Sequence, residues 1–458
     1  MADKPTFKKP ANGDLVTIYN HQFRWSDKHF TPDELFPLRQ QVDDLGVATY
    51  ARLQEIIAKE KESNPSVNQG RADLYTVLEK HHTEDEILQK FWEEVTTVPD
   101  WVDWGQIEQG QKFIYRNLPA NLTGLALQGF LGGTATIAGG SEVLARTGGF
   151  TLRIIPRRFL ETFMWLLQIT MSMEGMKPGG QGFISTVRVR LLHAAVRQRV
   201  IKLIEQDPSY FNEEEFGTPA NMRDAIHSTV IFCCMPLFRQ LPIIGITPEP
   251  EETADFLAFF RYIAYIMGNP QSYFDGVEQS KATMESVMLC EPPPTETSKA
   301  ICMNFTAALQ DAPGINISRP MLEAGCRIMS GDKMADLLGF PRRSVFYHAS
   351  YRGYFRLLVW INVLQRWIPP FDRWVIRKSK EIVITNVFGA PILKGAKFDM
   401  INFPALNKFT KAEPKKPLKS WFRPVETIGF LIFLAEIFFY LVVVGALGKT
   451  IASWYAVR

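Results

Sequence analysis

Residues Thr427–Leu447, TIGFLIFLAEIFFYLVVVGAL, carry a single charge in 21 positions. Nothing else in the chain restricts its architecture as much. A helix of that length, rising ~1.5 Å per residue, extends roughly 30 Å, the thickness of a bilayer's hydrocarbon layer. Trp421 and Phe422 precede the run and Trp454 and Tyr455 follow it, in the places of interfacial aromatic anchors. The alternative is a buried C-terminal core helix. Glu436 opposes insertion, since a carboxylate near mid-span costs a few kcal/mol, but the flanking Phe, Leu, Ile and Val outweigh it.

Charge gives the span a direction. Lys408, Lys411, Lys415, Lys416, Lys419 and Arg423 stand against Glu413 just before it, a local +5. The stretch 424–458 balances, so of the formal +3 the body, residues 1–404, holds −2. By the positive-inside rule the span is a single-pass C-terminal anchor with its body in the cytosol. The opening MADKPTFKKPANGD has no apolar signal region. A body of −2 shows no electrostatic footprint for nucleic acid. Five scattered cysteines (Cys233, Cys234, Cys290, Cys302, Cys326) have the spacing of neither a zinc site nor a disulfide framework, and read as thiols of a reducing compartment.

The body, 46% apolar over the whole chain, is too apolar to be disordered. Its periodicity predicts helices at Phe36–Glu60, Ala72–Lys80, Glu84–Glu94, Ile107–Asn117, Phe159–Met173, Phe183–Glu205, Met222–Phe238, Glu251–Met267 and Tyr351–Trp367. Glu381–Val387 is the one short strand candidate. The expected fold is all-α, with an N-terminal helical region over 1–98, a body over 99–404, a basic linker over 405–426 and the anchor over 427–447. The small-residue run Gly124–Gly140, GLALQGFLGGTATIAGG, is no nucleotide fingerprint. It is expected to let a helix backbone approach another helix, or a flat ligand, closely. Neither HExxH, GxSxG nor the kinase motif set occurs.

One histidine falls on an apolar helix face. In VRVRLLHAAVRQRV, His193 shares its face with Val189, Val196 and Val200, with Leu192 beside it, while Ala194 and Ala195 leave room. A neutral imidazole there suits haem iron, and Arg188, Arg190, Arg197 and Arg199 on the same helix could meet haem propionates. A hydrogen-bonded core histidine with solvent-facing arginines fits the spacing as well. The remaining histidines form no pair at metal-binding spacing. Arg158, Glu161 and Thr162 lie at i, i+3 and i+4, on one face of a second helix. Glu142 is expected in a glycine-flanked turn, GGSEVLARTGGF. An arginine, a threonine and a carboxylate converging on one cavity would suit oxygen binding or proton transfer; a surface salt bridge fits the spacing too.

The order of motifs narrows these alternatives. EVLARTGGF, RRFLET, MKPGGQGFISTVRVRLLHAAVR and GTPANMRD occur in sequence. PDWVDWGQIEQG (Pro99–Gly110) precedes them, and FFRYIAYIMG (Phe259–Gly268) and GDKMADLLGFP (Gly331–Pro341) follow. Together they resemble the fungal ER-bound oxygenases of the mycophenolic-acid type, whose catalytic domain is shared with bacterial latex-clearing rubber oxygenases. The resemblance implies a globin-like helical core around one haem b, filling the body 99–404. On it, His193 matches the axial iron ligand, and Glu142, Arg158 and Thr162 match polar residues of the haem pocket. It also implies O2-dependent cleavage of a C=C bond in an isoprenoid chain and residence at the endoplasmic reticulum membrane. One position departs: where the rubber-cleaving relatives have lysine, this chain has Glu161.

The expectation is therefore an anchored haem oxygenase acting on a lipophilic unsaturated substrate of secondary metabolism, with Arg158 and Thr162 orienting O2 and Glu142 handling a proton. Three alternatives stand beside it: a haem oxidoreductase or hydroxylase that leaves the chain intact, a membrane-tethered haem-binding protein without turnover, and a helical scaffold without cofactor.

Overall fold

The computed structural model describes residues 7–63, 72–133, 136–312, 316–388 and 423–456. Nearly all of the basic linker, 405–422, lies outside them. The architecture is all-α, as the periodicity predicts, with one antiparallel hairpin, Leu15–Ile18 with His21–Arg24. That hairpin is too short for alternation to reveal. Glu381–Val387 is no strand: it ends the helix Pro369–Phe388. Its β-branched residues sit on a helix packed against Trp104–Arg116 and Ile155–Thr170, where tertiary packing overrides propensity. Glu142 likewise lies in a helix, Ala138–Arg146, rather than in a turn.

Helix starts follow local chemistry. Asp103 and Asn221 accept hydrogen bonds from the first free N–H groups of Trp104–Arg116 and Met222–Met235, and Pro156 sits in the first turn of Ile155–Thr170. One apolar core cluster runs from Leu35 to Leu358, taking in the N-terminal helices Asp44–Ser63, Leu74–His81 and Glu86–Thr96.

The small-residue run becomes Leu118–Gly124 followed by π-helical turns over Leu125–Gly133. It meets its neighbours at backbone range. A Cβ at Gly124 would strike the Gln240 side chain, one at Gly132 the Ser330 hydroxyl, and one at Gly139 the Asp224 carboxylate. Close helix approach is what these glycines provide.

The helix Gln181–Gln206 crosses the centre. Phe183, Val187 and Leu191 are buried on it, and so is Arg190. Arg190 is held by Asp43 at 2.7 and 2.8 Å and by Glu94 at 2.8 Å, over the Phe91 ring. Those partners compensate its burial. Gly268, at φ +73°, makes room: any side chain there would collide with this guanidinium.

Among the described residues, two helices meet the length and apolarity of a membrane span. Met222–Ile244 is mostly buried in the core; Pro424–Leu447, of mean hydropathy 2.6, has no buried residue in its most apolar stretch. The second belongs to a longer helix, Pro424–Ala456. Its first turns dock on Val345–Trp367 in parallel, Phe430 against Phe346, Phe433 against Arg352, and Glu436 against Arg356 at 2.9 Å. Gly353 and Gly429 permit this, since a Cβ on either would enter the other helix's backbone. Below, Glu426 accepts from the Ser318 N–H at 2.7 Å, and Arg423 pairs with Asp311 at 2.9 Å.

Candidate functional site

His193 does not meet apolar packing. It opens onto a cavity of about 410 Å³ between Gln181–Gln206, Ile155–Thr170, Ala138–Arg146 and Met222–Met235, within the ~300–1,000 Å³ usual for small-molecule sites. The residue is deep in the body, yet much of its own surface faces this space. Neither ring nitrogen makes a hydrogen bond among the described residues. Enclosure in the protein lowers the imidazole to about 4, and the Arg197 cation adds to that. The ring is therefore neutral near pH 7, with a lone pair available to a ligand.

Arg158, Glu161 and Thr162 line the same cavity. Glu161 bridges two arginines, Arg157 at 2.9 Å and Arg158 at 2.7 Å. The Glu161 carboxylate thus holds the Arg158 guanidinium. Glu142 is placed differently. It is buried and bound to Arg146 at 2.9 Å, while its neighbours Ser141, Val143 and Leu144 line the cavity and its own side chain does not. Tyr210 completes that cluster, donating to the Arg146 carbonyl at 2.8 Å beneath the guanidinium.

Of the four arginines on the histidine helix, the structure separates the roles. Arg188 goes to Asp73, at 2.9 Å from its Nε. Arg190 and Arg197 line the cavity. Arg197 gives two donors to the carbonyls of Pro219 and Ala220, and its buried Nη1 has no partner. Arg199 lies away from this cavity, in a separate pocket with Tyr50 and Gln54.

Asp224 was not singled out by the spacing, although GTPANMRD contains it. It is buried on the cavity wall with Oδ1 unsatisfied. Burial, reinforced by Glu291, pushes its carboxyl up to about 7, against the pull of Arg223 and Arg39. Asn221, Ser228 and Thr229 add polar groups on the same side, and Trp165, Phe130, Ile231 and Phe232 make the apolar walls.

The described residues hold no group of three or more His, Cys, Asp or Glu able to ligate a free ion. A lone imidazole suits iron in a macrocycle, which brings four nitrogens of its own. The unsatisfied Arg197 Nη1 suits an anionic substituent on such a group.

The family model for the catalytic domain of ER-bound oxygenase mpaB/B′ and rubber oxygenase matches residues 118–360. The chain belongs to this oxygenase family. All four helices around the cavity fall within the matched residues of the mpaB/rubber-oxygenase domain. A solved structure of latex clearing protein LCP in the closed state is similar, with a TM-score of 0.51 and 17% identity over 65% of this chain and 79% of that one. At that identity the likeness speaks for the helical fold. No curated protein matches the chain.

Proposed function

We propose that the protein is a membrane-anchored, haem b-dependent oxygenase that uses O2 to cleave a C=C bond of a lipophilic isoprenoid-type substrate. The supporting observation is His193: a neutral imidazole, free of hydrogen bonds among the described residues, facing a cavity inside an oxygenase-family domain. In this reading His193 would hold the haem iron, and Arg197 would hold a carboxylate of the macrocycle. Haem b, once bound, supplies the redox-active iron needed to activate O2.

The chain's own groups do the remaining work. Arg158, fixed by Glu161, and Thr162 present hydrogen-bond donors into the cavity to orient oxygen. Phe130, Leu144, Ile231 and Phe232 exclude water and receive the alkene. Two carboxyls are candidates for proton handling. Glu142, clamped by Arg146 behind the wall, is the one implied by the resemblance. Asp224 stands on the wall itself, with its proton poised near neutrality.

The helix Pro424–Ala456 is the single-pass anchor in this account, with the body in the cytosol and the endoplasmic reticulum as its membrane. A greasy substrate dissolved in that bilayer would be concentrated beside the enzyme. A place in secondary metabolism is part of the same proposal.

The test is a spectrum of detergent-solubilised protein before and after dithionite, followed by O2 uptake with an isoprenoid alkene. A Soret band that shifts on reduction, with carbonyl products from the alkene, is the expected result. A colourless, folded protein after expression with ample haem would refute the cofactor. Uptake of O2 yielding hydroxylated but uncleaved substrate would refute the cleavage.

A further inference from the structure

The anchor helix parts from the body at a defined place. Its side chains are buried or half-buried at several positions up to Glu436, and from Ile437 to Trp454 every described one is exposed, Phe438 to 69%. Contacts with Val345–Trp367 climb in parallel, Phe430 on Phe346, Phe433 on Arg352 and Glu436 on Arg356. One turn beyond Arg356, on the partner helix, begins a run of apolar side chains that face outward.

Trp360, Val363, Leu364 and Trp367 follow at the spacing of one helix face, and Ile368 and Trp374 continue it into the helix Pro369–Phe388. Trp367 is 81% exposed, Trp360 49% and Trp374 48%. The opposite face of Val345–Trp367 is buried in the body through Tyr351, Phe355 and Leu358, so the exposed residues are not an error of register. Exposed Arg373, Arg377 and Lys378 flank Trp374. Tryptophan beside arginine and lysine is the composition of a headgroup boundary, where an indole has one apolar and one wet side. An apolar surface of this kind marks an interaction site.

We propose that this face, Trp360 to Trp374, seats on the bilayer surface that the anchor enters, with an anionic phospholipid headgroup layer as its partner. The inference rests on the anchor reading above, and continuity decides the occupant. The stripe starts where the anchor helix leaves the body, on the helix to which that anchor is docked. The glycine contact of Gly353 with Gly429 and the Arg356–Glu436 pair hold the two together, so the span presents this face of the catalytic body to the membrane rather than tethering it freely.

The test uses the full chain in liposomes of phosphatidylcholine and phosphatidylserine containing a nitroxide-labelled lipid. Four of the five native cysteines are buried, and Cys290→Ala removes the fifth as a labelling site. An environment-sensitive fluorophore is then placed on single cysteines: V363C and W367C in the stripe, V443C in the anchor, and K59C on the N-terminal helix. A face seated ~5–10 Å into the boundary gives nitroxide quenching at V363C and W367C within about twofold of that at V443C, with none at K59C. Quenching at V443C alone overturns the proposal and leaves the anchor standing. Loss of quenching at V443C as well overturns both. A blue-shifted but unquenched stripe also overturns it, because protein, whether residues 389–422 or a second copy, then covers the face.

Discussion

Two regions of this molecule break the usual rule of polar outside and apolar inside, in opposite senses. Around His193, polar groups are turned inward: Arg158, Glu161, Thr162, Arg197 and Asp224 line the cavity, and Arg197 Nη1 and Asp224 Oδ1 find no partner among the described residues. Along the C-terminal helices, apolar groups are turned outward, from Trp360 to Trp374 and from Ile437 to Trp454. An unsatisfied buried donor costs ~1–3 kcal/mol, and a wholly exposed large apolar side chain forgoes roughly 1.5–3 kcal/mol. Each region therefore defines by its misfit the medium it is built for. The cavity has room for a polar-edged small molecule, and the tail has the length and apolarity of a membrane span.

The sharpest separation of the two comes from truncation. A chain ending at Glu436 keeps the docked turns and loses the exposed ones. It is expected to move completely from the carbonate-resistant pellet to the supernatant, with a Tm in detergent within about 5 °C of the full chain, as expected when the docked contacts survive. Persistence in the pellet would break the assignment of Ile437–Trp454. A chain ending before Pro424 also uncovers Gly353 and leaves Ser318 N–H without Glu426, so it should melt distinctly lower.

Inside the cavity, Arg158→Ala should lower kcat about 10²-fold with haem content unchanged, as for loss of one preorganised donor. Normal turnover would remove Arg158 from the site. Glu142→Gln and Asp224→Asn divide the proton role: the variant whose pH–rate profile loses a limb identifies the carboxyl. A tenfold or larger effect from Glu142 alone would mean that a group behind the wall acts through it.

What the sequence made legible follows the same division. The long apolar C-terminal helix needed only run length, because an unbroken apolar run marks every position of a helix alike. The spacing locates the histidine helix but not its burial, since Arg190 is buried against partners remote in the chain, Asp43 and Glu94. Four missed helices, Ala138–Arg146, Gly276–Cys290, Glu296–Leu309 and Arg319–Ser330, carry many buried small and polar residues, which blur a periodic pattern. Asp224 was invisible as a site residue because its shift comes from burial and from Glu291, reached only through the fold. The glycines that bracket Glu142 suggest a turn, yet Gly139 packs closely against Asp224 and Phe216, and Gly149 against Arg158.

Smaller effects refine the contrast. Gly353→Leu forces the docked helices apart and should cost about 1–3 kcal/mol of stability, while the haem spectrum stays as it was; a changed spectrum would couple the two regions. Asp224→Asn tests the buried carboxyl thermodynamically. Its pKa is raised on folding, from an ordinary 3.8 to about 7, so the native state binds the extra proton between those values. Wild-type stability should then decline as pH rises from about 4 to 7, and Asn should flatten that slope. An unchanged slope in melts across this range would show that Asp224 is not the group responsible.

The central claim is that His193 holds haem iron, and absorbance measures it directly. Full-length protein and His193→Ala, expressed with haem supplied and matched by far-UV circular dichroism, should differ by loss of most of the Soret band in the variant. Exogenous imidazole should restore part of it by filling the vacated position. An unaltered Soret band in folded His193→Ala would place the iron elsewhere and contradict the account.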